Sequence, residues 1–110
     1  MSPDADAERL EDIREHAQEA MEYLRGVSVA AFRQDRLLRL AIERLLEIIG
    51  EGAAGLSDAT RARIPYDWRA VRGLRNVIAH QYGSIDPDQL HRVVVNRLPE
   101  LVAAIQGDRK

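Results

Sequence analysis

Apolar residues recur every three or four positions along nearly all of this 110-residue chain, and no alternating apolar–polar run suggests a strand. Leu10, Ile13, Ala17, Ala20, Met21 and Leu24 form one stripe of a long first helix. Ser2 and Pro3 suit its cap and first turn, Gly26 its end, and Ser28 the cap of the next helix. The strongest pattern lies over 29–52, where Leu38, Ala41, Ile42, Leu45, Ile48 and Ile49 make a face wide enough for a bundle core. One helix is expected there, weakened and then stopped by Gly50, Gly52 and Gly55.

Ser57 is expected to cap a short helical turn over 57–63. Ile64-Pro65-Tyr66 reads as an extended link, because Pro65 disfavours helix at the residue before it. Asp67 then caps a fourth helix with Trp68, Val71, Leu74 and Ile78 on one face, running to Gly83. Asp86-Pro87-Asp88-Gln89 combines a cap, a first-turn proline and a capping-box glutamine. The last helix runs through Leu90, Val93, Val94, Leu98, Leu101, Val102 and Ile105, with a break or kink near 98 imposed by Pro99. The pattern predicts one all-α domain over residues 1–110, a compact bundle of about four to five main helices. Residues 1–7 and 107–110 are expected to fray.

With 45% apolar residues the chain can bury a modest core, and with no cysteine it excludes disulfides and thiol chemistry. The acidic, polar start lacks the apolar stretch of a signal peptide, and no apolar run is long enough to span a membrane. A soluble, cytoplasmic protein is expected. The net charge of −2 hides a division. Residues 1–27 hold eight acids and three arginines, a balance of −5, whereas 28–83 hold nine arginines and six acids, a balance of +3. Positive charge therefore surrounds the fourth helix, although the domain as a whole is not basic.

That helix carries Arg69, Arg72, Arg75, Asn76 and His80, with Tyr82 just beyond. Arginine presents a forked positive charge that matches phosphate, and histidine exchanges a proton near neutral pH. Asn76 and His80 are four apart and share a face, so Asn76 is placed to orient the imidazole, with Arg72 a turn earlier. Arg75 and His80 are five apart, about 140° around the axis. RNA cleavage by its own 2′-hydroxyl needs one proton removed, one delivered, and a charged phosphorane stabilised; histidine and arginine suit those tasks without metal or cofactor. His16, His80 and His91 are too far apart in sequence for a local metal site. One such histidine per chain leaves the acid or the base role empty, and a two-fold dimer around the motif helix would fill it. Residue types alone also fit a structural helix-end histidine and a solvated arginine face.

Arg75, Asn76, His80 and Tyr82 resemble the motif of the HEPN superfamily and, more narrowly, the R-x-x-x-x-H-x-Y signature of HepT-type toxins. The segment Ala41 to Glu51 is similar to that family's second-helix pattern, with Gly52 where alanine is usual. Ile64-Pro65-Tyr66 resembles its Ile-Pro-Trp, and Gly73-Leu74-Arg75-Asn76 its Gly-Met-Arg-Asn. Ser84-Ile85-Asp86 and the later Leu98-Pro99 also fit, so the resemblance runs through residues 35–105. It implies a HEPN-type bundle and a homodimeric, metal-independent endoribonuclease, the toxin of a toxin–antitoxin pair. Arg75 would stabilise the scissile phosphate, His80 transfer the protons, Asn76 orient His80, and Arg69 and Arg72 add phosphate contacts. The resemblance further implies a minimal nucleotidyltransferase (MntA-like) antitoxin that transfers AMP to Tyr82. Glu51 is a candidate to hold an arginine of the motif helix, or else a surface charge. The alternative is a non-catalytic HEPN dimer that acts as scaffold or substrate-presenting partner of the nucleotidyltransferase.

Overall fold

A computed structural model describes residues 3–80 and 85–108, and the side chains of 5–76 and 85–108. Among them the chain is helical throughout: α1 (Pro3–Tyr23), α2 (Val29–Gln34), α3 (Arg36–Ala54), α4 (Asp58–Arg63), α5 (Trp68–His80), α6 (Pro87–Arg92), a π-helical stretch (Val93–Arg97) and α7 (Leu98–Asp108). The expected all-α bundle is the fold. None of these helices is long and apolar enough to cross a membrane.

Local chemistry sets most boundaries. Gly26 takes φ 72°, the left-handed conformation that ends α1 cheaply only for glycine. Ser28 and Ser57 accept hydrogen bonds from Ala31 and Thr60 amides, capping α2 and α4. Asp67 does the same for the Ala70 amide at the start of α5, and Asp86 for the Asp88 amide at α6. The Ser2 cap lies outside the described residues, as does the expected end of α5 at Gly83.

Three expectations are corrected. The single helix over 29–52 is split at Asp35, whose backbone is extended and whose carboxylate accepts from the Leu38 amide. A short acidic side chain that can satisfy a free amide favours a helix start over a helix interior. Nor do Gly50 and Gly52 stop α3, which runs through both and is closed at Gly55. At the other end Pro99 causes no break; the chain passes through a π-helical stretch just before it. A proline ring cannot tolerate a regular turn against the carbonyl four residues back, and a widened turn relieves that clash.

The core is continuous: Ile13, Ala17 and Ala20 of α1, Phe32 of α2, Ile42, Leu46 and Ile49 of α3, and Val94, Leu101 and Ile105 near the C-terminus. Trp68 and Val71 bury the inner side of α5, and the Trp68 indole donates to the Ile64 carbonyl at 3.0 Å.

Asp6 lies inside the stretch expected to fray, yet it is 4% exposed. It accepts from the Ser57 hydroxyl at 2.5 Å, the Thr60 hydroxyl at 2.6 Å and the Ser57 amide at 3.3 Å, tying α1 to the start of α4. Those hydrogen bonds, chiefly from the Ser57 and Thr60 side chains, hold its carboxyl below the usual carboxylate range. The stability contributed by a lowered acid is present above its unfolded pKa, about 3.9, and is lost as pH falls through the folded value. Asp6→Asn should therefore unfold at a lower temperature than wild type at neutral pH. Thermal scans against pH should show that deficit shrinking once the medium is acidic enough to protonate Asp6; an unchanging deficit would contradict this account.

Candidate RNA-binding site

Helix α5 is set by its crossing with α3. A Cβ on Gly50 would lie 2.8 Å from the Arg75 amide nitrogen, 3.2 Å from Arg75 Cβ and 3.2 Å from the Val71 carbonyl oxygen. Only a residue without a side chain lets the two backbones meet here. Ala54, one turn after Gly50, shares a cleft with Arg69 and Arg72, which precede Arg75; the two helices thus run antiparallel. Packed at its Cβ, Arg75 still has an exposed side chain, so its guanidinium reaches outward from an anchored base.

Arg69, Arg72, Arg75 and Asn76, together with Gly73 and Ala54, line an open cleft of about 500 Å³. The helical period places Arg69, Arg72 and Asn76 within about 60° of one another, on the side of α5 turned away from Val71, with Arg72 next to Trp68 on the helix surface. Arg69, Arg72 and Arg75 are exposed, and each ion pair of an arginine with a described residue lies elsewhere, at Arg14, Arg25, Arg33, Arg44, Arg61 and Arg63. The first turn of α5 contains no acid, and Arg69 stands in it. The Asp67 carboxylate already caps the amide end of α5, so the attraction for phosphate in this cleft comes from the three guanidiniums.

Of the six candidate residues, Arg69, Arg72, Arg75 and Asn76 line this one cleft. For His80 the described part is its backbone, one turn beyond Asn76 at the end of α5. Its side chain, and Tyr82 entirely, lie outside the described residues, so the Asn76–His80 pair and the acceptor tyrosine remain expectations. Glu51 is exposed and makes no ion pair with a described arginine of α5.

Two residues of the scaffold were missed. Gly50 was read as a helix breaker, although it is what brings Arg75 onto α3. Glu43, only 7% exposed, lies seven residues before Gly50 and therefore on nearly the same side of α3, facing the α5 side of the molecule. Its spacing from Gly50 was the available signal.

Comparison with known proteins gives one consistent picture. A family model described as "Ribonuclease HepT-like" matches residues 13–107. The chain is 31% identical over 98 residues to "Putative RNase MJ1380" of Methanocaldococcus jannaschii, covering 88% of this chain and 90% of that protein. It is 30% identical over 102 residues to "Probable ribonuclease HepT" of Thermococcus cleftensis, covering 92% and 93%. "Putative RNase TTE0752" of Caldanaerobacter subterraneus subsp. tengcongensis is 30% identical over 95 residues, covering 84% and 83%. No solved structure matches.

Proposed function

The chain belongs to the HepT-like ribonuclease family of the HEPN superfamily, and from that premise we propose that it is a metal-independent endoribonuclease acting as the toxin of a toxin–antitoxin pair. The observation that carries this reading is the cleft lined by Arg69, Arg72, Arg75 and Asn76, where cationic side chains converge at the N-terminal half of α5. Arg69 and Arg72 hold flanking phosphates of the RNA, and Arg75 holds the scissile one. His80 takes the proton of the 2′-hydroxyl. The freed oxygen attacks phosphorus, the bond to the 5′-oxygen breaks, and that oxygen is protonated by the His80 of a second chain. Arg75 stabilises the phosphorane between these steps, and Asn76 orients His80. The products are a 2′,3′-cyclic phosphate and a 5′-hydroxyl. Neutralisation follows when a minimal nucleotidyltransferase transfers AMP to Tyr82, adding bulk and negative charge two residues from His80, where they repel RNA.

Co-incubation with a minimal nucleotidyltransferase and ATP tests both halves. RNA cleavage by the untreated protein is expected, falling as intact mass grows by AMP-sized increments. Tyr82→Phe should keep cleaving and gain no mass. Modification of a protein that never cleaves RNA would replace this reading with the scaffold one.

A further inference from the structure

Helix α5 leans on α3, while α7 packs against α1 and the π-helical stretch, so a groove is left between α5 and the C-terminal segment. It encloses about 410 Å³, within the range of sites that hold small molecules. Val71, Leu98 and Leu101, each almost wholly buried, form its apolar floor. Tyr66 makes one wall. Its hydroxyl donates to the Arg97 carbonyl at 3.0 Å, and its ring meets the Trp68 indole edge-on with ring centres 5.9 Å apart. The aromatic face is thus held at both ends.

Arg97 and Glu100 stand at the rim. Both are exposed, and neither makes an ion pair with a described residue. Asp67, also at the rim, is engaged in accepting from the Ala70 amide. The Tyr66 phenol is pushed above its usual range, first by burial and then by the Glu100 charge, with Arg97 opposing; both charges therefore gather around this wall. The groove adjoins the arginine cleft. Gly73 lines the cleft and Ala70 the groove, and positions three apart on a helix are neighbours, about 5–6 Å from each other. A strand whose phosphates lie on Arg69 and Arg72 has the groove within reach of one of its bases.

We propose that the groove takes one unstacked guanine base of the RNA, and that Glu100 and Arg97 select it. This role rests on the ribonuclease reading above, since it needs the strand held in the cleft. Single-stranded RNA is recognised through bases that are splayed out, stacked on aromatic rings and hydrogen-bonded at their edges. The aliphatic floor and the fixed phenol ring supply the stacking surface. The edge chemistry decides which base fits. An ionised carboxylate only accepts, and guanine presents two donors side by side, N1–H and the N2 amine. A guanidinium only donates, and guanine offers O6 and N7 on the adjoining edge. Adenine, cytosine and uracil do not meet both carboxylate oxygens with donors on neighbouring atoms.

Short, fluorescently labelled 2′-O-methyl oligouridines carrying one central guanine, inosine or adenine test this, because they lack the attacking hydroxyl and survive with the intact protein. Fluorescence anisotropy is expected to show binding about 10-fold tighter for guanine than for inosine, which lacks only the N2 amine; that is about the size of one lost base contact. Glu100→Gln should bind the two alike and melt as wild type. Glu15→Gln, at an exposed carboxylate on α1, should keep the difference. Equal binding of the three oligomers by wild type, or a guanine preference that survives in Glu100→Gln, would overturn the proposal. Sequencing the cut ends of a random RNA separates it from the reading it rests on. Cleavage with no base enriched near the cut sinks the groove and leaves the ribonuclease standing. A guanine preference in binding by a chain that cuts no RNA does the reverse.

Discussion

His80→Ala and Arg75→Ala should each reduce RNA cleavage by about 10²- to 10⁴-fold, the range in which proton transfer and charge stabilisation of a transition state are usually lost. Neither change should unfold the protein. Arg75 is exposed and makes no ion pair with a described residue, and its Cβ, which packs on Gly50, survives in alanine. The two should differ in binding. Arg75→Ala removes a phosphate contact and should weaken RNA binding and its salt dependence, whereas His80→Ala should bind as wild type at a pH where the imidazole is neutral. Mixing the two inactive variants adds a further check. Because the reaction uses the His80 of both chains, a mixed dimer holds only one, and no activity should return. Single-turnover cleavage measured alongside thermal unfolding separates loss of chemistry from loss of fold. Wild-type rates in His80→Ala would remove the histidine from the reaction.

The second large effect is expected at a residue that touches no substrate. In Gly50→Ala the new methyl would stand 2.8 Å from the Arg75 backbone nitrogen, closer than any real Cβ contact, and backbone is on the far side. The helices must separate. Forcing extra volume into a packed contact usually costs about 1–3 kcal/mol, a substantial part of a small domain's stability. It would also displace Arg75, whose base is fixed at this crossing. A shift on the order of 1 Å in a positioning group can cost about 10²-fold in rate. Gly50→Ala should therefore lose both melting temperature and cleavage, while Gly73→Ala, where an added Cβ meets nothing within 4 Å, should lose neither by this route. Equal behaviour of the two variants would show that the α3–α5 approach does not set the site.

How much of this was readable beforehand follows from what each residue does. Ser28, Ser57, Asp67 and Asp86 announce helix starts because a short polar side chain satisfies an amide locally, and local chemistry is what a sequence displays. Asp35 is the same kind of signal, and the polar run Arg33-Gln34-Asp35-Arg36 interrupts the apolar period there, but the strong pattern that begins at Leu38 drew the helix back over it. Gly50 misled for the opposite reason. Intrinsic propensity marks glycine as a helix breaker, but tertiary packing against Arg75 outweighs that cost. The cluster Arg69, Arg72, Arg75 and Asn76 was legible because a helical period alone brings those positions to neighbouring faces. Buried Glu43 and Asp6 were not, since their burial depends on α5 and α4 lying across them, and distant residues in a sequence do not state that.

The most direct test of the central claim is the chemistry of the cut. Purified, unmodified protein with single-stranded RNA and a chelator should yield fragments ending in 2′,3′-cyclic phosphate and beginning with 5′-hydroxyl, and His80→Ala should yield essentially none. Fragments carrying 5′-phosphate and 3′-hydroxyl ends, or none at all without added divalent metal, would contradict it.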